Sequence, residues 1–141
     1  VVLMHMRGTP KAMQQGDLIY RSLRGEIIDF LRKRIERAAD AGIDPAQIMV
    51  DPGIGFGKTV TDNMRLIRYL HEFKVLGRPI LVGPSRKAFI GQVTGGSPGE
   101  RVEGTAAVVT AAILNGGNVI RVHDVSIMKK VAAMADAVSR A

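Results

Sequence analysis

The chain has 141 residues, 46% hydrophobic and 4% aromatic, with no Trp, no Cys and a net charge of +7. That is enough for one domain with a core of Ala, Val, Ile and Leu; the lack of Cys excludes disulfides, a thiolate metal site and a Cys nucleophile, and suits a reducing cytoplasm. The positive charge raises nucleic-acid binding, yet the cations are dispersed and no aromatics interleave with them, so a solvated surface and no nucleic-acid partner are expected.

The chain opens without Met and inside an apolar run, Val1-Val2-Leu3-Met4, so a preceding stretch is expected outside it. This run reads as a strand and leads through Arg7-Gly8-Thr9-Pro10 to a helix over roughly 21–37. There Leu23, Ile27, Leu31 and Ile35 fall four apart, with Phe30 and Ala38 beside them, as an apolar stripe requires. Arg21, Arg24, Arg32, Lys33, Arg34 and Arg37, interspersed with Glu26, Asp29 and Glu36, form its solvated face, and Gly42 suits the left-handed position after its end. A second strand, Ile48-Met49-Val50, precedes a glycine-rich loop and a helix over 61–73 with Leu66, Ile67, Leu70 and Phe73 inward. A third, Ile80-Leu81-Val82, runs into Ser85-Arg86-Lys87-Ala88-Phe89-Ile90-Gly91. Ser97-Pro98-Gly99-Glu100 reads as a capping box opening a helix to Asn115. A last strand, Val119-Ile120, is followed by a helix from Ser126 with Val131, Met134, Ala135 and Val138 inward. Strand and helix alternate as in successive βα units with right-handed crossovers and parallel strands, half of a barrel or a small doubly wound sheet. No apolar run nears the roughly 18 residues of a membrane span, and no signal pattern opens the chain.

Each strand ends in a charged, glycine-bearing cluster, the place where a (β/α) barrel gathers its active site. In Asp51-Pro52-Gly53-Ile54-Gly55-Phe56-Gly57-Lys58-Thr59 the phosphate-loop spacing fails, because Pro52 stands where glycine is required. The dinucleotide spacing fails at Lys58. What remains is a carboxylate at a strand end, able to accept two parallel N–H bonds from an amidine, guanidine or aminopyrimidinone, or simply to cap the glycine turn. Ser85-Arg86-Lys87 holds an anion or carbonyl oxygen, or is a solvated basic turn. Arg121 and His123 lie two apart and share one face of a strand, where a phosphate between them or an ion pair with Asp124 or Asp51 would offset their burial. Met4 and Met6 flank His5, one as core and one as ligand wall. His5, His71 and His123 have no metal-ligand spacing.

Together these clusters resemble the dihydropteroate synthases of the pterin-binding barrel family. The resemblance is carried by Leu3-Met4-His5-Met6-Arg7-Gly8-Thr9-Pro10, Asp51 to Lys58, Gly83 to Gly91 and Ile120-Arg121-Val122-His123-Asp124-Val125, with Asn63, Glu100-Arg101 and Gly104-Thr105-Ala106 alongside. It implies an α/β fold, the second half of a TIM (β/α)8 barrel, apparently strands five to eight, as four consecutive βα units with parallel strands in one unit over 1–141. It implies a transferase of folate biosynthesis, the sulfonamide target, joining 6-hydroxymethyl-7,8-dihydropterin pyrophosphate to 4-aminobenzoate and releasing pyrophosphate.

By position, Asp51 would grip the pterin's 2-amino and ring N–H, Lys87 would hydrogen-bond the pterin, and Met4 and Gly83 would wall it. Arg121 and His123 would bind pyrophosphate and, with Lys87, form the catalytic set. Ser85, Phe56, Thr9 and Pro10 would border 4-aminobenzoate. The resemblance further implies Mg2+, whose ligand falls in the family's other half and not among these residues, a cytoplasmic homodimer and no membrane partner. A half-barrel has two open strand edges, and these residues alone are expected not to catalyse. Two other readings are a pterin-binding methyltransferase module, sharing the carboxylate anchor without a pyrophosphate site, and a non-catalytic half-barrel assembly unit.

Overall fold

A computed structural model describes residues 1–8 and 19–141. The four apolar runs become very short strands. β1 (Val2–Met4) pairs in parallel with β2 (Met49–Asp51), Met4 lying opposite Asp51. β3 (Leu81–Val82) pairs in parallel with β4 (Val119–Ile120). Among the described residues, a parallel bridge between Val50 and Ile80 joins the two ribbons. The expected four-strand run is therefore two small parallel sheets in an α/β fold, because strands of two or three residues leave little length for a continuous ladder. Val50, Ile80 and Val82 are fully buried, as strands covered on both faces should be.

Helices supply the cover. α1 (Leu23–Asp40) turns Ile27, Leu31 and Ala38 inward, and Gly42 after it takes φ +85°. α2 (Val60–Arg68) starts at a reciprocal capping box between Thr59 and Asp62. The helix expected over 61–73 breaks at Tyr69 into a tighter 3-10 helix, Leu70–Leu76, which still buries Leu70 and Phe73. The core joins these to Leu66, Ile67, Phe89 and Ile90. A helix absent from the expectation, α3 (Ala88–Thr94), follows β3.

Ser97 and Glu100 do form a capping box, but it opens only the 3-10 turn Pro98–Glu100, and α4 (Val102–Leu114) begins after Arg101. α5 (Val125–Arg140) buries Met128 and Ala135. Met134 and Val138, expected inward, are 66% and 56% exposed, because this helix packs chiefly on α4, which covers only a narrow stripe of it. Among the described residues no helix is long and apolar enough to cross a membrane.

Candidate active site

The carboxyl ends of the strands bring the charged clusters together, beginning with Asp51. Its side chain is 2% exposed, and its Oδ1 accepts the Gly53 N–H at 2.7 Å. The turn-capping reading is thus realised by one oxygen, while Oδ2 lies 4.0 Å from Arg121 Nη2, at the limit of an ion pair. Burial holds the Asp51 carboxyl above the usual carboxylate range, against the opposing pull of the Gly53 hydrogen bond and of Arg121, Lys58 and Lys87. The turn needs glycine at 53: φ is +73°, and a Cβ there would lie 1.8 Å from the His5 carbonyl oxygen.

The loop after β2 is fixed from several sides. Asn63, buried in α2, accepts the Gly55 N–H at 2.7 Å and donates to the Thr59 carbonyl at 2.8 Å. Tyr20 donates its hydroxyl to the Gly57 carbonyl at 2.9 Å. Lys58, 3% exposed, donates to the Phe56 carbonyl at 2.9 Å and sits 3.1 Å from His5 Nδ1. Burial lowers the Lys58 pKa to about 8, and burial together with the Lys58 charge lowers His5 to about 4.

Across from this loop, the turn after β3 is divided residue by residue. Lys87 lays its stem over Gly55 and places Nζ 3.8 Å from the Phe56 ring centroid. Burial first, and Arg121 second, lower its pKa, with Asp51 opposing. Buried Ser85 points the other way, its Oγ 2.8 Å from His123 Nδ1 and accepting the His123 N–H at 3.2 Å. Arg86 between them holds a left-handed φ of +57°, rare for a residue with a side chain. It is locked by a two-pronged pair with Asp124 at 3.0 and 2.6 Å, by Thr105 Oγ1, which accepts its N–H, and by Arg101, which donates to its carbonyl. The Arg86 guanidinium holds Asp124 below the usual carboxylate range. Neither cation of this turn is left as part of a simply solvated patch.

Arg121 and His123 both line a cavity of about 380 Å³ with Gly83, Ser85, Lys87 and Val122. They do so from beyond the strand, since β4 ends at Ile120, so the alternation expected to aim them does not apply. Both are exposed rather than buried, and the Arg121 guanidinium rests against the backbone of Gly83. Asp124 is taken by Arg86, not by Arg121 or His123.

Of the residues singled out in the sequence, Asp51, Gly83, Ser85, Lys87, Arg121, His123 and Phe56 converge here, with Met4 paired beside Asp51. Met6 is half-buried and shares a shallow pocket with Met4, Phe30 and Arg34. Thr9 and Pro10 lie outside the described residues. Three contributors had no assigned role in the sequence reading: His5, Lys58 and Asn63. The available signal was a lysine closing a glycine loop and an asparagine in the first turn of the helix behind it.

The donor set does not fit a divalent metal. Among the described residues no three His, Asp or Glu side chains form a group that could hold an ion. Asp51, the buried carboxylate, is surrounded by the cations Arg121, Lys58 and Lys87.

Residues 1–123 match the family described as "Pterin binding enzyme". The dihydropteroate synthase of Synechocystis sp. is 46% identical over 145 residues, covering 99% of this chain and 48% of that protein. The Yersinia pestis dihydropteroate synthase solved with a sulfonamide drug superposes with a TM-score of 0.94 at 39% identity, over 97% of this chain and 50% of that one. The Thermus thermophilus synthase, solved with 4-aminobenzoate and separately with 6HMPPP, gives TM-scores of 0.88 at 39% and 38% identity, over 96% of this chain and 55% and 54% of those chains. The chain spans about half the length of the curated relatives it matches.

Proposed function

This chain belongs to the pterin-binding enzyme family, and from that premise we propose that it carries half of the active site of a dihydropteroate synthase, as strands five to eight of a TIM (β/α)8 barrel. The observation that carries the proposal is a buried carboxylate set at the edge of a cavity lined by Lys87, Arg121 and His123. A pterin offers two neighbouring N–H donors and a pyrophosphate offers clustered negative charge, so one substrate matches both ends of this arrangement.

Asp51 would accept the pterin's donor pair, its Gly53 bond still leaving lone pairs free. Lys87 would donate to the pterin, with Met4 and Gly83 as walls. Arg121, largely exposed, and His123, held at Nδ1 by Ser85, would bind the pyrophosphate. Ser85 and Phe56 would border 4-aminobenzoate.

The amine nitrogen then attacks the pterin methylene carbon while the carbon–oxygen bond to pyrophosphate breaks. Pyrophosphate leaves with the bonding electrons, and the new secondary amine sheds one proton. A neutral arylamine needs no strong base. The protein's contribution is preorganised positive charge where pyrophosphate leaves, with Asp51 balancing charge at the pterin. Mg2+ would be held by residues of the barrel's other half, and no role above depends on it. The lack of Cys favours a cytoplasmic setting, and a homodimer is the proposed assembly.

Calorimetry with a pterin analogue tests the reading in the intact protein. Asp51→Ala is expected to abolish measurable pterin binding at unchanged fold, and pyrophosphate to tighten pterin binding except in Arg121→Ala. Normal pterin affinity in Asp51→Ala would refute the assignment. Pterin binding without pyrophosphate coupling would favour the methyltransferase class instead.

A further inference from the structure

Lys58 is a buried ammonium with no part in the chemistry proposed above, and it does not line the cavity. Burying an ammonium is costly, and a well-packed apolar side chain of similar volume often serves a core at least as well. Its geometry shows what it does there instead. Nζ donates to the Phe56 carbonyl at 2.9 Å, and since an ammonium has no lone pair, His5 Nδ1 at 3.1 Å must accept from it. His5 is in turn fixed: its ring packs edge-on against Phe30 with centroids 5.0 Å apart, and its backbone N–H donates to the Asp51 carbonyl at 3.0 Å. Lys58 therefore ties the loop after β2 to the segment after β1. The tie falls on the residue whose ring carries the Lys87 ammonium, 3.8 Å from its centroid.

We propose that Lys58, acting through His5, is a positioning residue: it fixes the Phe56 carbonyl so that the Phe56 ring seats the Lys87 ammonium within reach of Asp51. The proposal rests on the synthase reading for what Phe56 and Lys87 contact, but the positioning itself does not depend on that reading. Lys58 touches neither substrate. Its removal should loosen Phe56 and Lys87 together while leaving the Asp51 carboxylate, held by Gly53, in place.

The test uses the intact protein with 13Cε-labelled lysine, the Lys87 resonance being assigned by its loss in Lys87→Arg. A methylene beside a nearby aromatic face is shifted by the ring current, so the Lys87 ε-protons report the seat directly. In Lys58→Met those protons are expected to relax towards ordinary lysine values. The KM for 4-aminobenzoate, bordered by Phe56, and the Kd for the pterin, to which Lys87 donates, should each rise by about tenfold, as expected for misplacement rather than loss of a contact. Lys58→Arg, which keeps a donor for the Phe56 carbonyl, should restore most of both. Unmoved Lys87 resonances in a folded Lys58→Met protein would overturn the proposal. Should that variant not fold, His5→Leu, which removes the ring acceptor and keeps Lys58, should shift the same resonances by less, and no shift would overturn it equally. Asp51→Ala measured alongside separates the two ideas: unchanged pterin affinity there defeats the synthase reading, while the Lys87 resonances still decide the positioning.

Discussion

A carboxylate that is 2% exposed and whose pKa is raised by burial is poorly placed for stability at neutral pH. Its folded form takes up a proton more readily than the unfolded chain does. Stability at Asp51 is therefore greatest below the unfolded carboxylate range and falls as pH rises through the folded value. Asp51→Asn keeps an oxygen for the Gly53 N–H and removes the buried charge. The expected outcome is a higher Tm at pH 7, a difference that shrinks towards pH 3, and a pterin affinity reduced by about a hundredfold, the cost of roughly 3 kcal/mol for losing a charged acceptor. Calorimetric melting and pterin titration of the same samples check both halves; a variant that loses both Tm and binding would speak for a structural cap alone. His5 has the opposite sign. Its pKa falls from 6.5 to about 4, so the stability it preserves is fully present above pH 6.5 and is lost as pH falls through about 4. The full difference is on the order of 3 kcal/mol at most. Urea midpoints should drop more steeply between pH 6.5 and 4 in the parent than in His5→Gln, with exposed His71 and His123 common to both. Parallel slopes would remove His5 as the cause.

Elements show where the sequence was readable and where packing decided. All four strands appear within a residue of their expected bounds, because short apolar runs ending in glycine and charge leave few other structures. The clusters behind them were legible for the same reason. α3 was not, since seven residues with Gly91 inside carry no full period of apolar spacing. Nor was the buried face of α4, which is apolar nearly all round and hides only Thr105, Val109 and Ala112. Met134 and Val138 lie at the margin of the α5 stripe centred on Met128 and Ala135, and periodicity alone does not tell how wide a stripe the neighbour will cover. The pairing of His5 with Lys58 spans 53 positions and left no local trace. The contact between α3 and α4 gives a prediction that pits propensity against packing. Alanine at Gly104 would gain about 1 kcal/mol of helix propensity, but its Cβ would stand 2.4 Å from Ile90 Cγ2. Ile90 is β-branched and buried, so it has little room to turn aside, and overpacking costs about 1–3 kcal/mol. Gly104→Ala is therefore expected to lower stability by up to about 2 kcal/mol in urea unfolding, and a gain would show that Ile90 yields freely.

The molecule as a whole has a strong grip at one end of its strands and open edges at its sides. Among the described residues β1 is paired only with β2, and β4 only with β3, so each presents an outer row of backbone donors and acceptors. Val2 and Val119 on those two strands are exposed apolar residues as well. Such edges invite another strand, and the relatives matched are about twice as long. The cavity is open in the same way, because Lys87, Arg121 and His123 line it from beyond β3 and β4 only, with Asp51 of β2 reaching its edge 4.0 Å from Arg121. A polypeptide restricted to these 141 residues is therefore expected to associate through its edges in sedimentation and to show no dihydropteroate formation with Mg2+ supplied. Supplying the first half of the Synechocystis relative as a separate chain should restore turnover and suppress that association together, since one set of strands closes both edges and the site. Metal-dependent dihydropteroate formation by the 141 residues alone would mean that the cavity already holds what catalysis needs. Association abolished without turnover would mean that the borrowed half closes the edges but does not complete the site.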